Sequence, residues 1–441
     1  MKKSLFAIAA VTAFAGAAQA QSSVTVYGIL DVGYIGSSSR VSNSTNPAGY
    51  NNGQLKKTSN QFGQSAETSS RLGFKGVEDL GGGMSAFFTA EFALAPNDQS
   101  LNGNAVGATS LAKANPNGVG VNSGGLANRQ TFVGLKKNGI GQVAVGTQYT
   151  TVFNALAATD PGQTNNTLGS VIYPSVSGGN NADQGNTASL TARTSNTLSI
   201  KSDKFGGFTG SAFATLNNKN VTETSTNNVA ATGGNTNASG WGLGADFAIQ
   251  KFYIAAAYQS LKQLTSVGNT TPFAATNAAA TTVGNVPAAW GQTQGNGATT
   301  VGGGAFNTTD NQVYAGATYD FGILKAYANY ISRKATATAS SNYYVKRAGQ
   351  QIGVRSYITP TVEAWASAGV GRYTALGEGT PTQNFNAWQL GSNYYLSKRT
   401  NLYAIYGQTL TSSGSTTSAA GVTTTLSAGA SNYAIGVRHT F

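Results

Sequence analysis

The chain has 441 residues, of which only 10% are charged, with 57 glycines, no cysteine and a single histidine. Its 27 basic residues against 15 acidic ones give a net charge of +12. The cations are scattered singly, which argues against one nucleic-acid patch, and thiol or zinc chemistry has no ligand set to draw on. At the N-terminus Lys2 and Lys3 precede an apolar run over 5–18 and the small-x-small pattern Ala18-Gln19-Ala20. That is the form of a cleavable secretion signal, so residues 1–20 are read as signal peptide and 21–441 as the mature domain. No later apolar run approaches the ~18 residues that a membrane helix needs.

Period-2 alternation begins at once. Val24, Val26, Gly28, Leu30, Val32 and Tyr34 share one face, and Thr25, Tyr27 and Asp31 the other. Further along, Ala86, Phe88, Ala90, Phe92 and Leu94 oppose Ser85, Thr89 and Glu91. Sixteen strands are predicted, at 23–36, 68–76, 83–95, 128–136, 141–148, 193–201, 207–216, 239–249, 251–260, 311–319, 322–333, 346–357, 361–373, 384–396, 399–410 and 431–441. The gaps alternate in length. Those at 37–67, 96–127, 149–192, 217–238, 261–310, 334–345, 374–383 and 411–430 are long, while 77–82, 137–140, 202–206 and 320–321 are tight. Long loops at one end and tight turns at the other describe an outer-membrane barrel, and an even strand count lets the ends meet without a free edge. The fold class is therefore an all-β transmembrane antiparallel barrel in one domain. Its Asn/Gly/Thr-rich gaps, such as 43–60 and 268–307, are surface loops. The last strand places Tyr433, Ile435, Val437, His439 and Phe441 on one outward face.

Five segments carry a resemblance. Val24-Thr-Val-Tyr-Gly-Ile-Leu-Asp31, Ser70-Arg-Leu-Gly-Phe-Lys-Gly76, Asn128-Arg-Gln-Thr-Phe-Val-Gly-Leu135, Val152-Phe-Asn-Ala-Leu156 and Tyr433-Ala-Ile-Gly-Val-Arg-His-Thr-Phe441 resemble the general diffusion porins of Gram-negative outer membranes. The resemblance implies a sixteen-stranded homotrimer surrounded by outer-membrane lipid and lipopolysaccharide, with the third loop folded into the lumen. Small hydrophilic solutes would be its cargo, with no cofactor and no metal. It also implies that the C-terminal strand, through Tyr433 and Phe441, is read by the barrel-assembly machinery. Carried over by position, Arg71 and Arg129 resemble a basic ladder on the wall, which Lys75 extends. Glu91 resembles a wall carboxylate beside them, and Arg193 a further basic lumen residue. Two departures stand out: Ile29 is apolar where many relatives are basic, and the third loop offers only Asp160 and Asp183 as acids. A constriction lined mainly by arginine favours anions modestly.

Rival readings are an outer-membrane enzyme, a secreted adhesin and a substrate-specific channel. Ser/His catalysis would have to use His439, which lies on the outward face, and the acids show no glycosidase-like pairing. An adhesin would have to bury the apolar outer faces against another layer. Trp241, Trp290, Trp365 and Trp388 are too scattered to define an aromatic sugar track.

Overall fold

The computed structural model describes residues 23–45, 51–97, 127–174, 188–221, 234–267, 308–337, 344–376, 382–417 and 423–441. The predicted signal peptide, the loop 268–307 and Asp183 lie outside them. The strand segments are β1 (Ser23–Asn43), β2 (Gln54–Gln64), β3 (Arg71–Gly81), β4 (Met84–Ala93), β5 (Ala127–Lys137), β6 (Gly141–Tyr149), β7 (Arg193–Ser202) and β8 (Phe208–Val221). They continue as β9 (Gly234–Ile249), β10 (Phe252–Val267), β11 (Thr308–Asp320), β12 (Lys325–Ala337), β13 (Tyr344–Thr359), β14 (Val362–Leu376), β15 (Thr382–Tyr395), β16 (Thr400–Thr417) and β17 (Thr423–Thr440). A single helix, α1 (Thr151–Thr159), follows β6 among the described residues.

From β3 onward each strand pairs antiparallel with the next, and β17 returns to β1 from Ile29↔Thr440 to Asn43↔Leu426. Gly28 and Phe441 exchange the last two backbone hydrogen bonds, each 3.1 Å. The sheet is thus closed and leaves no free edge, as a lipid environment demands. Seventeen segments make a barrel of sixteen positions, because β2 and β3 occupy one position: β2 pairs with the upper half of β1 and β3 with its lower half. The alternation has opposite solvents on its two faces. Val133, Leu135, Val145, Leu198, Ile200, Ile352 and Ile435 stand exposed on the outside, while Gln259, Gln312, Gln351, Gln389, Asn393 and Arg333 are buried on the inside.

The predicted strands are all present, but three expectations about the gaps need correction. Gln54–Gln64 was assigned to the loop 37–67 and is strand β2. The gaps 334–345 and 411–430 shrink to 338–343 and 418–422, because β12, β16 and β17 run beyond their predicted ends. The cause is the same each time. Above the membrane both faces of a strand meet water, so the hydropathy alternation disappears while the backbone ladder continues. The segment Val152-Phe-Asn-Ala-Leu156, expected to open a loop, lies in α1. Thr150 Oγ1 accepts from the Phe153 amide at 3.3 Å, and the helix ends at Asp160, whose backbone is extended before Pro161.

Candidate functional site

The inner wall of β1 and β3–β6 carries a compact charged cluster. Glu91 (β4) is at its centre: Arg129 Nε donates to Oε1 at 2.9 Å, Arg71 Nη1 stands 3.8 Å from the same oxygen, and the Tyr27 hydroxyl donates to Oε2 at 3.1 Å. Arg129 Nη2 also donates to the Tyr149 hydroxyl at 2.9 Å. Arg71 is also held by its Nε, which donates to the Ser69 carbonyl at 2.9 Å. Lys75 shares the Arg71 face and keeps its Nζ 5.5 Å from the centre of the Tyr27 ring, with the side chain exposed. Arg193 pairs across the ladder with Tyr149, so it joins the same sector from β7. Ile29 pairs with Arg71, which makes the apolar departure a direct neighbour of the ladder.

Arg129 reaches this cluster only through a β-bulge. Strict alternation groups it with Thr131, Val133 and Leu135, and the last two are exposed to the outside. The register between β4 and β5 slips between Glu91↔Gln130 and Phe92↔Asn128, so Arg129 has no opposite number. That extra residue turns the guanidinium inward, where only 5% of the residue remains exposed.

The segment after β6 lies along the opposite inner wall. α1 rests on β9–β12, where Val152, Phe153 and Leu156 bury against Ala255, Ala257, Tyr314 and Ile331. Gly316 is required for this approach, since a Cβ there would stand 2.3 Å from Thr159 Oγ1. Further on, the loop backbone docks on wall amides. Thr191 N donates to Gln312 Oε1 at 2.7 Å, Val171 N to Gln351 Oε1 at 2.7 Å, and Leu168 N to Asn432 Oδ1 at 2.9 Å. Gln389 Nε2 donates in turn to the carbonyls of Thr167 and Leu168, at 3.3 and 2.9 Å. Arg347 clamps the loop with Nη2 on the Val171 carbonyl at 2.8 Å and Nη1 on Ser189 Oγ at 2.6 Å.

Residues 65–70 form the loop's other seat. They leave the wall between β2 and β3, opposite only Leu30 and Asp31, because β1 pairs Val32 with Gln64 and Ile29 with Arg71. Asp31 holds this excursion: its Oδ2 accepts from the amides of Glu67 and Thr68 at 2.9 and 2.7 Å, and its Oδ1 from the Tyr403 hydroxyl at 2.6 Å. Asn166 N then donates to the Ala66 carbonyl at 2.9 Å, joining loop to excursion.

Asp160 is placed differently from the wall charges. It is 3% exposed and closes its own turn, with Oδ2 accepting from Thr164 N at 2.7 Å and Oδ1 from Gly162 N at 3.2 Å. Burial pushes its carboxyl above the ordinary range, and those two amides and the Arg355 guanidinium pull it partly back. His439 is on the exposed face, with Nδ1 2.9 Å from Thr400 Oγ1.

Sequence reading missed the docking set. Gln259, Gln312, Gln351, Gln389 and Asn432 all sit at inward positions of β10–β17. A primary amide offers both a donor and an acceptor, which is what an irregular backbone laid on a wall requires. Their recurrence at inward parity was the available signal. The buried pairs Arg333–Asp310, with Nη2 2.5 Å from Oδ2, and Arg355–Glu363, at 3.4 Å, were missed as well.

The profile of the Gram-negative porin family matches residues 7–414. The chain belongs to the Gram-negative porin family. This porin is 30% identical over 210 residues to an outer membrane porin protein of Bordetella pertussis, covering 47% of this chain and 46% of that protein. It is 42% identical over 103 residues to outer membrane porin protein 32 of Delftia acidovorans, covering 23% of this chain and 25% of that protein. The match therefore spans less than half the length of either curated relative. In fold, the porin resembles the anion-selective porin from Comamonas acidovorans, with a TM-score of 0.59 at 18% identity over 96% of this chain and 100% of that one. The trimer form of OmpT of Vibrio cholerae gives 0.53 at 14% identity, over 95% and 99% of the two chains. Family and closed barrel together make it a multi-pass protein of the Gram-negative outer membrane.

Proposed function

We propose that this porin is a passive, water-filled diffusion channel for small hydrophilic solutes and ions with a modest preference for anions, assembled as a homotrimer. One observation carries the selectivity: on the inner wall Arg71 and Arg129 both pair with the carboxylate of Glu91, and Lys75 extends the same face. Arg193 adds a cation from the next sector, whereas Asp160 spends its oxygens on its own turn. A surplus of positive charge in a narrow, low-dielectric passage is screened less than in bulk water and raises the local anion concentration. The third loop, seated on the far wall, forms the other side of that passage in this reading. The relatives support both finer points, since one fold neighbour is an anion-selective porin and another is a trimer.

The same reading has residues 1–20 removed on export and the last strand, with Tyr433 and Phe441, engaged by the assembly machinery. Planar-bilayer recording with KCl graded across the membrane tests the channel. Stepwise insertions in threes with a chloride-directed reversal potential are expected. A cation-directed potential would overturn the selectivity, and a barrel that never conducts would overturn the channel.

A further inference from the structure

Between the arginine cluster and the tight turn that joins β3 to β4, the lumen wall becomes apolar. Val77 pairs with Phe87, Phe87 with Gly134, and Thr89 with Phe132. Residues directly opposite one another share a face, and Glu91 and Lys75 mark that face as the inner one. Val77, Phe87 and Phe132 therefore all point into the lumen. Val77 is 52% exposed, and both rings are half-buried and meet edge to face with centroids 6.3 Å apart. Glycine makes room for them. A Cβ on Gly134 would stand 2.5 Å from Phe87 Cζ, and one on Gly73 would stand 2.2 Å from Tyr27 Cζ, so each ring leans across a neighbouring strand. The helix α1 rests on the far wall, over β9–β12.

Scattered apolar side chains on a wetted surface are ordinary, whereas adjoining ones mark a place that a ligand covers. The surrounding charges choose the ligand. Lys75 is one step from Val77 on the same face of β3, roughly 7 Å along the strand. Its Nζ lies 5.5 Å from the centre of the Tyr27 ring, and no carboxylate among the described residues forms an ion pair with it. On the other side of Phe87, Lys136 stands across from Ser85 and has Asp203 3.9 Å from its Nζ. Arg71 already faces Glu91. Lys75 is thus the cation available beside the rings. A carboxylate joined to a flat ring satisfies both features at once. The carboxylate meets an ammonium, and the ring meets Phe87 and Phe132 in the offset or edge-to-face arrangements that aromatic quadrupoles favour.

We propose that this patch is a transient binding site for aromatic carboxylates, of which benzoate is the simplest, on the periplasmic half of the channel. Phe87 and Phe132 take the ring and Lys75 the carboxylate. The tight turn between Gly81 and Met84 places the patch toward the periplasmic end. The proposal rests on the reading of the chain as an open channel and adds a substrate class to it.

Two titrations with potassium benzoate test it, one on single-channel currents of the full protein in planar bilayers and one by saturation-transfer NMR on the protein in detergent. A saturable fall in chloride current and a matching affinity by NMR are expected. Cyclohexanecarboxylate, which has the charge without the π-face, and benzamide, which has the ring without the charge, should each bind several-fold more weakly. In the variant F87L/F132L benzoate should bind about tenfold more weakly. That variant should keep the parent's reversal potential and its migration on unheated gels, which establish that it is folded. Equal benzoate binding in variant and parent would overturn the proposal, as would equal binding of cyclohexanecarboxylate. A chloride-directed potential without saturable benzoate binding overturns this site alone. A cation-directed potential with benzoate binding intact supports the site and overturns only the selectivity.

Discussion

At the level of single residues, the inner wall turns on one carboxylate. Glu91 is 3% exposed and accepts from Arg129 and Tyr27, with Arg71 a little further off. Replacing it by Gln removes the carboxylate that the two guanidiniums share. Breaking a partly hydrated pair of this kind costs on the order of 2 kcal/mol, less than in a dry core because Arg71 still reaches water. Glu91→Gln is therefore expected to lower the melting temperature and to increase the chloride-to-potassium permeability ratio. Asp160→Asn should leave that ratio almost unmoved, because burial pushes Asp160 toward the neutral form and its oxygens already serve Gly162 and Thr164. Reversal potentials for the two variants side by side check the contrast, and an equal shift in both would refute it. The family resemblance pointed to Arg71, Glu91 and Arg129 in the sequence, while Tyr27 and Tyr149 were not read as their partners. The inward turn of Arg129 was not legible either, because a bulge changes parity without changing composition.

Among the elements, the third loop depends on how closely it can approach the wall. Gly407 on β16 is the tightest point: a Cβ there would stand 1.7 Å from the Leu168 carbonyl oxygen. Gly407→Ala should lift the loop from β15–β17, and a single-channel conductance different from the parent's is the expected reading. An identical conductance would mean that the loop does not shape the passage. The excursion at 65–70 depends on Asp31, which gathers two amides and a hydroxyl. Asp31→Ala leaves those donors unsatisfied, at a cost of roughly 2–4 kcal/mol. Earlier unfolding in denaturant and new protease cleavage near Ala66 are expected. Neither seat could be read in advance. A gap rich in Ser, Asn and Gly looks alike whether it faces solvent or docks on a row of amides, since the partners are as far apart in sequence as Asn165 and Gln389.

For the whole molecule, closure is the dominant fact, and the last residue completes it. Phe441 exchanges backbone bonds with Gly28 and lays its ring where a Gly28 side chain would otherwise be, 2.3 Å from an added Cβ. Deleting Phe441 is expected to reduce the yield of folded, heat-modifiable barrel several-fold while leaving the conductance of the barrels that do form unchanged. Pulse-labelled assembly followed on unheated gels measures this, and a yield equal to the parent's would exclude the terminal residue from assembly. The sequence by itself determined the architecture: the alternation at Val24–Tyr34 and Ala86–Leu94, the unequal gaps and the apolar outward faces require a closed sheet between lipid and water. These signals survive in one dimension because each strand records its own two solvents. The tertiary structure alone decided where strands continue past the membrane, which inward amides carry the loop, how Arg129 turns inward and which aromatic rings meet beside Lys75 on the lumen wall. Each of those depends on register between segments distant in sequence, and register is fixed by the ladder as a whole.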